Sequence, residues 1–270
     1  MRTSTSGSQA LRGFKKAAVF GAIGVAAVAV AFRATGPDGA IIAALMLTFR
    51  YCGKPVMLPP CFILIGRGVI EGLKFLTRHT PTTLDAMLWQ LDGLLGFEPS
   101  VAAMAIVSTV PGLWEGLVIA YHQGLLVAMA LVAAAAPSPW RFLVKVVVAS
   151  AFGYALFWIV PACGPGFFLY GPADAPRNAM PSMHMVWAFM VRGEVGRRGV
   201  GPRLAADIFI ILTVLSTLGL GEHYLVDLLA AVPFWLAFEA LWRWRRIRAL
   251  ARLESVGENS DILPQERGSI

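Results

Sequence analysis

Residues 204–242 read LAADIFIILTVLSTLGLGEHYLVDLLAAVPFWLAFEALW. Two apolar runs, 204–220 and 224–242, flank a turn that carries Gly219, Gly221, Glu222 and His223. Each run comes close to the roughly 20 residues that cross a bilayer as a helix. Composition makes that reading general. Of the 270 residues, 57% are hydrophobic and only 14% charged, and mean hydropathy is +0.67. A soluble domain carries about 25% charged residues, so this chain cannot cover its surface for water. Disorder, collagen and coiled coil fall to the same numbers. The expected fold class is all-α, a polytopic transmembrane helical bundle.

Outward from that hairpin, further apolar runs cover 113–136, 140–160 and 183–195, the last of them short for a span. Residues 17–32 form another, reading as a retained first span rather than a cleaved signal peptide because it runs straight into Arg33. That makes about six core spans. Residues 39–76 add a tight pair of spans or a re-entrant hairpin, interrupted by Arg50 and Lys54. Residues 82–97 read as an interfacial amphipathic helix, capped by Thr82 or Thr83, with Leu84, Met87, Leu88, Leu91, Leu94 and Leu95 as its apolar stripe. The chain divides into a tail (1–16), an N-terminal region (17–111), a catalytic helical core (112–246) and a C-terminal tail (247–270). Residues 163–172, CGPGFFLYGP, read as an irregular loop that walls a lipid entrance.

The net charge of +7 is a matter of topology here, not of nucleic acid. Arg2, Arg12, Lys15 and Lys16, then Arg192, Arg197, Arg198 and Arg203, then Arg243, Arg245, Arg246, Arg248 and Arg252 all fall on one side if the spans alternate. The positive-inside rule makes that side cytoplasmic. Both termini are then cytoplasmic, and 161–181 and the 219–223 turn share the outer face of the cell membrane. Asp207, Glu239 and Arg243 fall toward inner span ends and read as structural. Trp140, Trp158 and Trp242 at span ends suit interface belts. Cys52, Cys61 and Cys163 form neither a disulfide framework nor a metal pattern.

Of the four histidines, His79 and His122 read as structural. His184 and His223 open different spans at the same face, and Asp227 follows His223 by one helical turn. Ionisable groups at membrane depth are costly and mark functional sites by default. A carboxylate on one imidazole nitrogen fixes the tautomer and raises the basicity of the other. The trio therefore reads as a nucleophile (His223), its orienting acid (Asp227) and a general acid/base (His184). A polar helix-packing cluster is the bland alternative, and a proton relay in a proton-coupled transporter is another. No cofactor or metal is expected, because no further ligand stands at metal spacing.

Pro181-Ser182-Met183-His184 resembles the second signature of the type-2 phosphatidic acid phosphatase superfamily. Ser216-Thr217, with His223 and Asp227 at the matching intervals, resembles its third. The resemblance covers about 113–242. It implies a helical bundle that hydrolyses or transfers phosphoryl groups on lipids. His223 would attack phosphorus, Asp227 would orient it, and His184 would protonate the leaving group. Ser182 and Thr217 stand at motif positions in the expected phosphate pocket. The chain lacks the first signature's Arg-Pro, carries Thr217 where Arg is usual and Met183 where Gly is usual. Those departures, with 85–97 and Tyr121, are similar to the inositolphosphorylceramide synthase branch. The expected partners are thus the bilayer and a lipid phosphate or phosphodiester, with polyprenyl or glycerolipid phosphate hydrolysis as the close rival to headgroup transfer.

A phosphate in a low-dielectric site needs charge-assisted donors. Arg177 is the one Lys or Arg within 161–181 and is the expected phosphate ligand; the alternative is an arginine snorkelling to headgroups. Backbone N–H groups behind Ser182 add a helix N-terminus. Arg67, Lys74 and Arg78 are reserve cations if their segment folds over the site. A singly charged phosphodiester eases the shortage, which favours transfer.

Overall fold

The structure, a computed structural model, describes residues 33, 39–61, 63, 64, 72, 83–171, 175–196 and 198–260, with backbone alone for 246–260. The expected first span, most of the second half of 39–76, His79, Arg67, Lys74 and Arg78 lie outside the described residues.

Among the described residues every regular element is helical. α1 is Gly39–Tyr51, α2 Asp85–Gly93 and α3 Pro99–Thr109. α4 is Leu113–Ala135, α5 Pro139–Ile159, α6 Pro165–Tyr170, α7 Met183–Val195, α8 Val200–Gly219 and α9 Leu225–Ser260. Four are long and apolar enough to cross a membrane: α4, α5, α8 and the Leu225–Arg245 part of α9. The chain is an integral membrane helical bundle.

The short helix α7 lies at its centre, packed on α4, α5, α8 and α9. It buries Met183, Met185, Val186, Trp187, Ala188, Met190 and Val191. A helix apolar all round belongs in a core, which explains how 13 residues suffice here. α4 is interrupted by a π turn, Ala120–Gly124, a feature that marks functional sites in helices.

Several local expectations are corrected. α2 begins after Leu84 with no side-chain cap, so Thr83 does not serve as one. Its protein-facing side carries Asp85, Leu88 and Asp92, while Met87, Leu91, Leu94 and Leu95 are exposed. Apart from the buried Leu88 and the half-buried Leu84, the apolar stripe faces outward. α3 was not foreseen; Pro99 starts it at a position where a missing N–H costs nothing. The 163–172 stretch is not wholly irregular, since Pro165 opens the six-residue α6 in the same way. The C-terminal tail continues as helix to Ser260.

At the end of the bundle formed by the start of α5 and the end of α7, charges are paired. Lys145 bonds Glu239, Arg243 lies 3.8 Å from the same carboxylate, and Arg192 pairs with Asp207. The opposite end carries the histidines.

Candidate active site

α8 ends in a Schellman motif. Gly221 takes φ +71°, its N–H donates to the Leu218 carbonyl at 3.0 Å, and the Glu222 N–H reaches the Thr217 carbonyl at 3.1 Å. The His223 N–H joins the same acceptor at 3.3 Å. This glycine turn reverses the chain and delivers His223 to the start of α9. Thr217, expected among the phosphate ligands, is fully buried, and its hydroxyl donates to the Thr213 carbonyl at 2.8 Å. Its carbonyl holds the turn.

His223 and Asp227 are both buried. Nδ1 of the imidazole lies 3.4 Å from Asp227 Oδ2, an ion-pair distance longer than a good hydrogen bond. Oδ2 also accepts the Tyr224 N–H at 2.9 Å. Nδ1, the other Asp227 oxygen and Arg177 Nε are buried without a hydrogen-bond partner within the protein. Buried polar atoms are nearly always paired, so the neighbouring orphans on His223 and Asp227 mark a place built for something else to bind or shift.

His184 opens α7. Its ring centre lies 6.1 Å from that of His223, with the planes at 65°, close enough for one phosphoryl group to touch both. Its own supports are aromatic. Tyr121, on the π turn, stacks on it at 4.0 Å and 19°, and Trp187 meets it edge-on at 5.8 Å. A side-chain hydrogen bond joins Tyr121 to Glu222. His122, exposed on the same π turn, packs edge-on against Tyr121 at 5.1 Å.

Ser182 is fully buried and caps α7, its Oγ accepting from the Met185 N–H at 3.5 Å. Its own N–H donates to the Asp227 carbonyl at 3.1 Å, tying the two signature segments together. Arg177 is buried rather than snorkelling, about 9% exposed. Nη1 donates to the Ala175 carbonyl at 3.3 Å, and the rest of its guanidinium retains donor capacity.

The loop 161–166 seats on the catalytic turn backbone to backbone. Gly166 N–H donates to the Gly221 carbonyl at 2.7 Å. Gly164 has φ +90°, and a Cβ there would lie 2.2 Å from the Glu222 carbonyl oxygen; only glycine permits this approach.

Sequence reasoning missed a second layer. Asp85 accepts the N–H groups of Cys163 at 3.0 Å and Gly164 at 3.2 Å, and the Tyr224 hydroxyl at 3.1 Å. Asp92 accepts the N–H groups of Leu225 at 2.6 Å and Val226 at 2.9 Å. Ser100 donates to the His223 carbonyl at 2.7 Å. The signal was present: two acids two helical turns apart on one face of an otherwise apolar helix. Burial, and then the Asp85 carboxylate, push the Cys163 thiol up to about 12, leaving it unreactive at neutral pH. Among the described residues no group of His, Cys, Asp and Glu gathers to hold a metal ion.

A family model described as the PAP2 superfamily matches residues 86–241, a range that takes in α2 from its second residue, α3, His184, His223 and Asp227, with Asp85 just outside it. No curated protein and no solved structure matches the chain. The family's enzymes are phosphatases and phosphotransferases that work on phosphate esters, which is chemistry suited to a carboxylate-backed histidine faced by a second one. The match covers well over half of the 270 residues, and the chain belongs to the PAP2 superfamily.

Proposed function

We propose that this membrane enzyme works through a phosphohistidine on a lipid phosphate or phosphodiester at the outer face of the cell membrane, and that it transfers a headgroup phosphate to an acceptor alcohol. The observation that carries the reading is the His223–Asp227 pair at 3.4 Å, faced by His184 across 6.1 Å. With Nδ1 turned to the carboxylate, Nε2 of His223 attacks phosphorus. The carboxylate steadies the positive charge that grows on the ring. His184 gives its proton to the leaving oxygen, then takes one from the acceptor hydroxyl. Arg177 and the N–H groups behind Ser182 balance the charge on the phosphoryl oxygens. Thr217 supports the pocket through the turn it closes.

Charge supports transfer over monoester hydrolysis. Asp85, Asp92, Glu222 and Asp227 surround a site in which Arg177 is the cation of the 161–181 loop. A phosphodiester brings one negative charge where a lipid phosphate brings about two at neutral pH, so the diester is easier to hold. The likeness to the inositolphosphorylceramide synthase branch rests on the sequence departures at Met183 and Thr217. Outward placement rests on the cation clusters.

The test is to incubate purified enzyme with a panel of lipid phosphates and phosphodiesters, with and without a lipid alcohol, and follow products by mass spectrometry. A new acceptor-linked phosphodiester is the expected result. Inorganic phosphate from monoesters alone would mean a lipid phosphatase. No product from any lipid, with pH-coupled transport instead, would overturn the enzymatic reading. Placement is tested by cysteines introduced into 175–181 of a Cys52→Ser, Cys61→Ser protein. Cys163 contributes little background because its thiol titrates so high. Labelling by an impermeant reagent in intact cells is expected; labelling only after lysis would reverse the topology.

A further inference from the structure

We infer that Asp92 is a positioning residue for His223, acting through Asp227. The inference rests on the reading of His223 as nucleophile and Asp227 as its orienter.

The first N–H groups of a helix have no partner within it. α9 begins at Leu225, so its N-cap residue is Tyr224, whose side chain has no local capping role and bonds Asp85 instead. Asp227 stands at the third helical position and reaches back to the Tyr224 N–H at 2.9 Å. That is half of a capping box. The other half comes from a different helix. Asp92, on α2, accepts from Leu225 at 2.6 Å and from Val226 at 2.9 Å. It is buried, about 3% exposed, and its partners lie 133 and 134 residues away in sequence.

The division of labour has a chemical consequence. Asp227 must serve two groups, the Tyr224 N–H and the His223 imidazole. Its approach to the imidazole is the longer of the two, an ion-pair contact at 3.4 Å against a hydrogen bond at 2.9 Å. If the Asp92 carboxylate were absent, two more part-buried N–H donors would stand within the same helical turn as Asp227, without the acceptor they now have. Donors shielded from water and left unpaired are costly, and the Asp227 carboxylate, which already caps the Tyr224 N–H in the same turn, can turn to them. It would do so at the expense of His223 Nδ1. Asp92 thus keeps Asp227 available to the nucleophile, while Ser100 holds the His223 carbonyl at 2.7 Å and fixes the peptide that carries it.

The experiment uses the full-length enzyme in lipid nanodiscs. Asp92→Ala, Asp92→Asn, Asp227→Asn, the Asp92→Ala/Asp227→Asn double variant and His223→Ala are assayed with 4-nitrophenyl phosphate and bis(4-nitrophenyl) phosphate. Rates are expressed per folded protein. Asp92→Ala should lower kcat on the order of 10- to 100-fold, the scale of a small misplacement of a reacting group, with KM moved less than about twofold. Asp92→Asn, which keeps one acceptor oxygen, should fall between it and wild type. In the Asp227→Asn background the further loss should shrink to under about threefold, because both changes act on one interaction. A purely structural Asp92 would instead give losses that multiply, or a lower yield of folded protein with unchanged kcat; either result overturns the inference. If Asp92→Ala does not fold, Asp92→Asn decides the matter by the same kcat criterion. An active His223→Ala, or a wild type inert both to these esters and to the lipid panel above, would remove the underlying reading and the inference with it; a wild type that turns over lipid alone is assayed with that lipid by the same criteria. A dead His223→Ala beside a fully active Asp92→Asn would remove the inference alone.

Discussion

The two ends of this bundle both hold charge, and they treat it differently. At one end the partners are side chains of opposite sign: Lys145 with Glu239, Arg243 beside them, and Arg192 with Asp207. At the other, Asp85 and Asp92 are held by backbone N–H groups and a tyrosine hydroxyl. There Arg177, His223 and Asp227 each keep an atom with no partner. Closed pairs need nothing further and hold helices together. An open set has capacity left for a ligand and for protons in motion. The difference separates paired charge from charge with unused capacity without reference to any motif.

The largest expected effects lie at the open end. Replacing His223 with Ala should lower lipid turnover on the order of a million-fold, the scale for loss of a nucleophile. His184→Ala should cost about 100- to 10,000-fold. Its loss should shrink with an aryl phosphate ester, whose leaving group departs without a proton, whereas His223→Ala should stay inactive. Steady-state rates of both variants with lipid and aryl substrates test this. Rescue of His223→Ala in place of His184→Ala would exchange the two roles.

The closed end should answer in stability alone. Lys145→Met strands Glu239, whose remaining partner Arg243 is 3.8 Å away and largely exposed. Breaking a buried pair costs about 3–5 kcal/mol. Thermal unfolding of the detergent-solubilised protein should report that loss, while kcat per folded molecule holds. The double variant Lys145→Met/Glu239→Leu should recover most of it. A fall in kcat instead would show that the two ends communicate.

Arg177 is the sharper test of openness, because its Nε has no partner within the protein although Nη1 bonds the Ala175 carbonyl. Arg177→Ala removes one charge-assisted interaction, worth about 1.5–3 kcal/mol, or roughly 10- to 150-fold in kcat/KM, with Arg177→Lys intermediate. A variant with wild-type kcat/KM would place the phosphate elsewhere. The smallest effect belongs to Arg192. Its pair with Asp207 is partly solvent-exposed on both sides, and such pairs contribute about 0–1 kcal/mol. Arg192→Ala should leave turnover unchanged and shift unfolding slightly, by an amount that disappears at high salt. A large loss would reclassify that pair.

Trp140 and Trp158 are exposed at the two ends of α5, where an interface belt would need them; aromatic placement along a span can be read without knowing any partner. α2 was only half readable. Its periodicity defined two faces, but the face that meets the protein is the one with the acids. In water the apolar side of a helix packs inward; beside lipid it need not. Nothing within 82–97 states which medium the helix lies against, so Asp85 and Asp92 looked like its solvent side.

The 204–242 hairpin and the pairing of His223 with Asp227 were determined by sequence alone. They depend on apolar run length, on a glycine that ends a helix, and on the period of one helical turn, all of which are local. The meeting of His184 with His223 followed from counting crossings. What only the tertiary structure decided is everything that satisfies backbone groups across long separations. Asp92 caps α9, Ser100 holds the His223 carbonyl, Gly164 lies against Glu222, and Tyr121 on its π turn stacks on His184. A buried N–H must find an acceptor, but chain spacing does not say which of many distant acids will be brought to it. That choice is made when the helices pack.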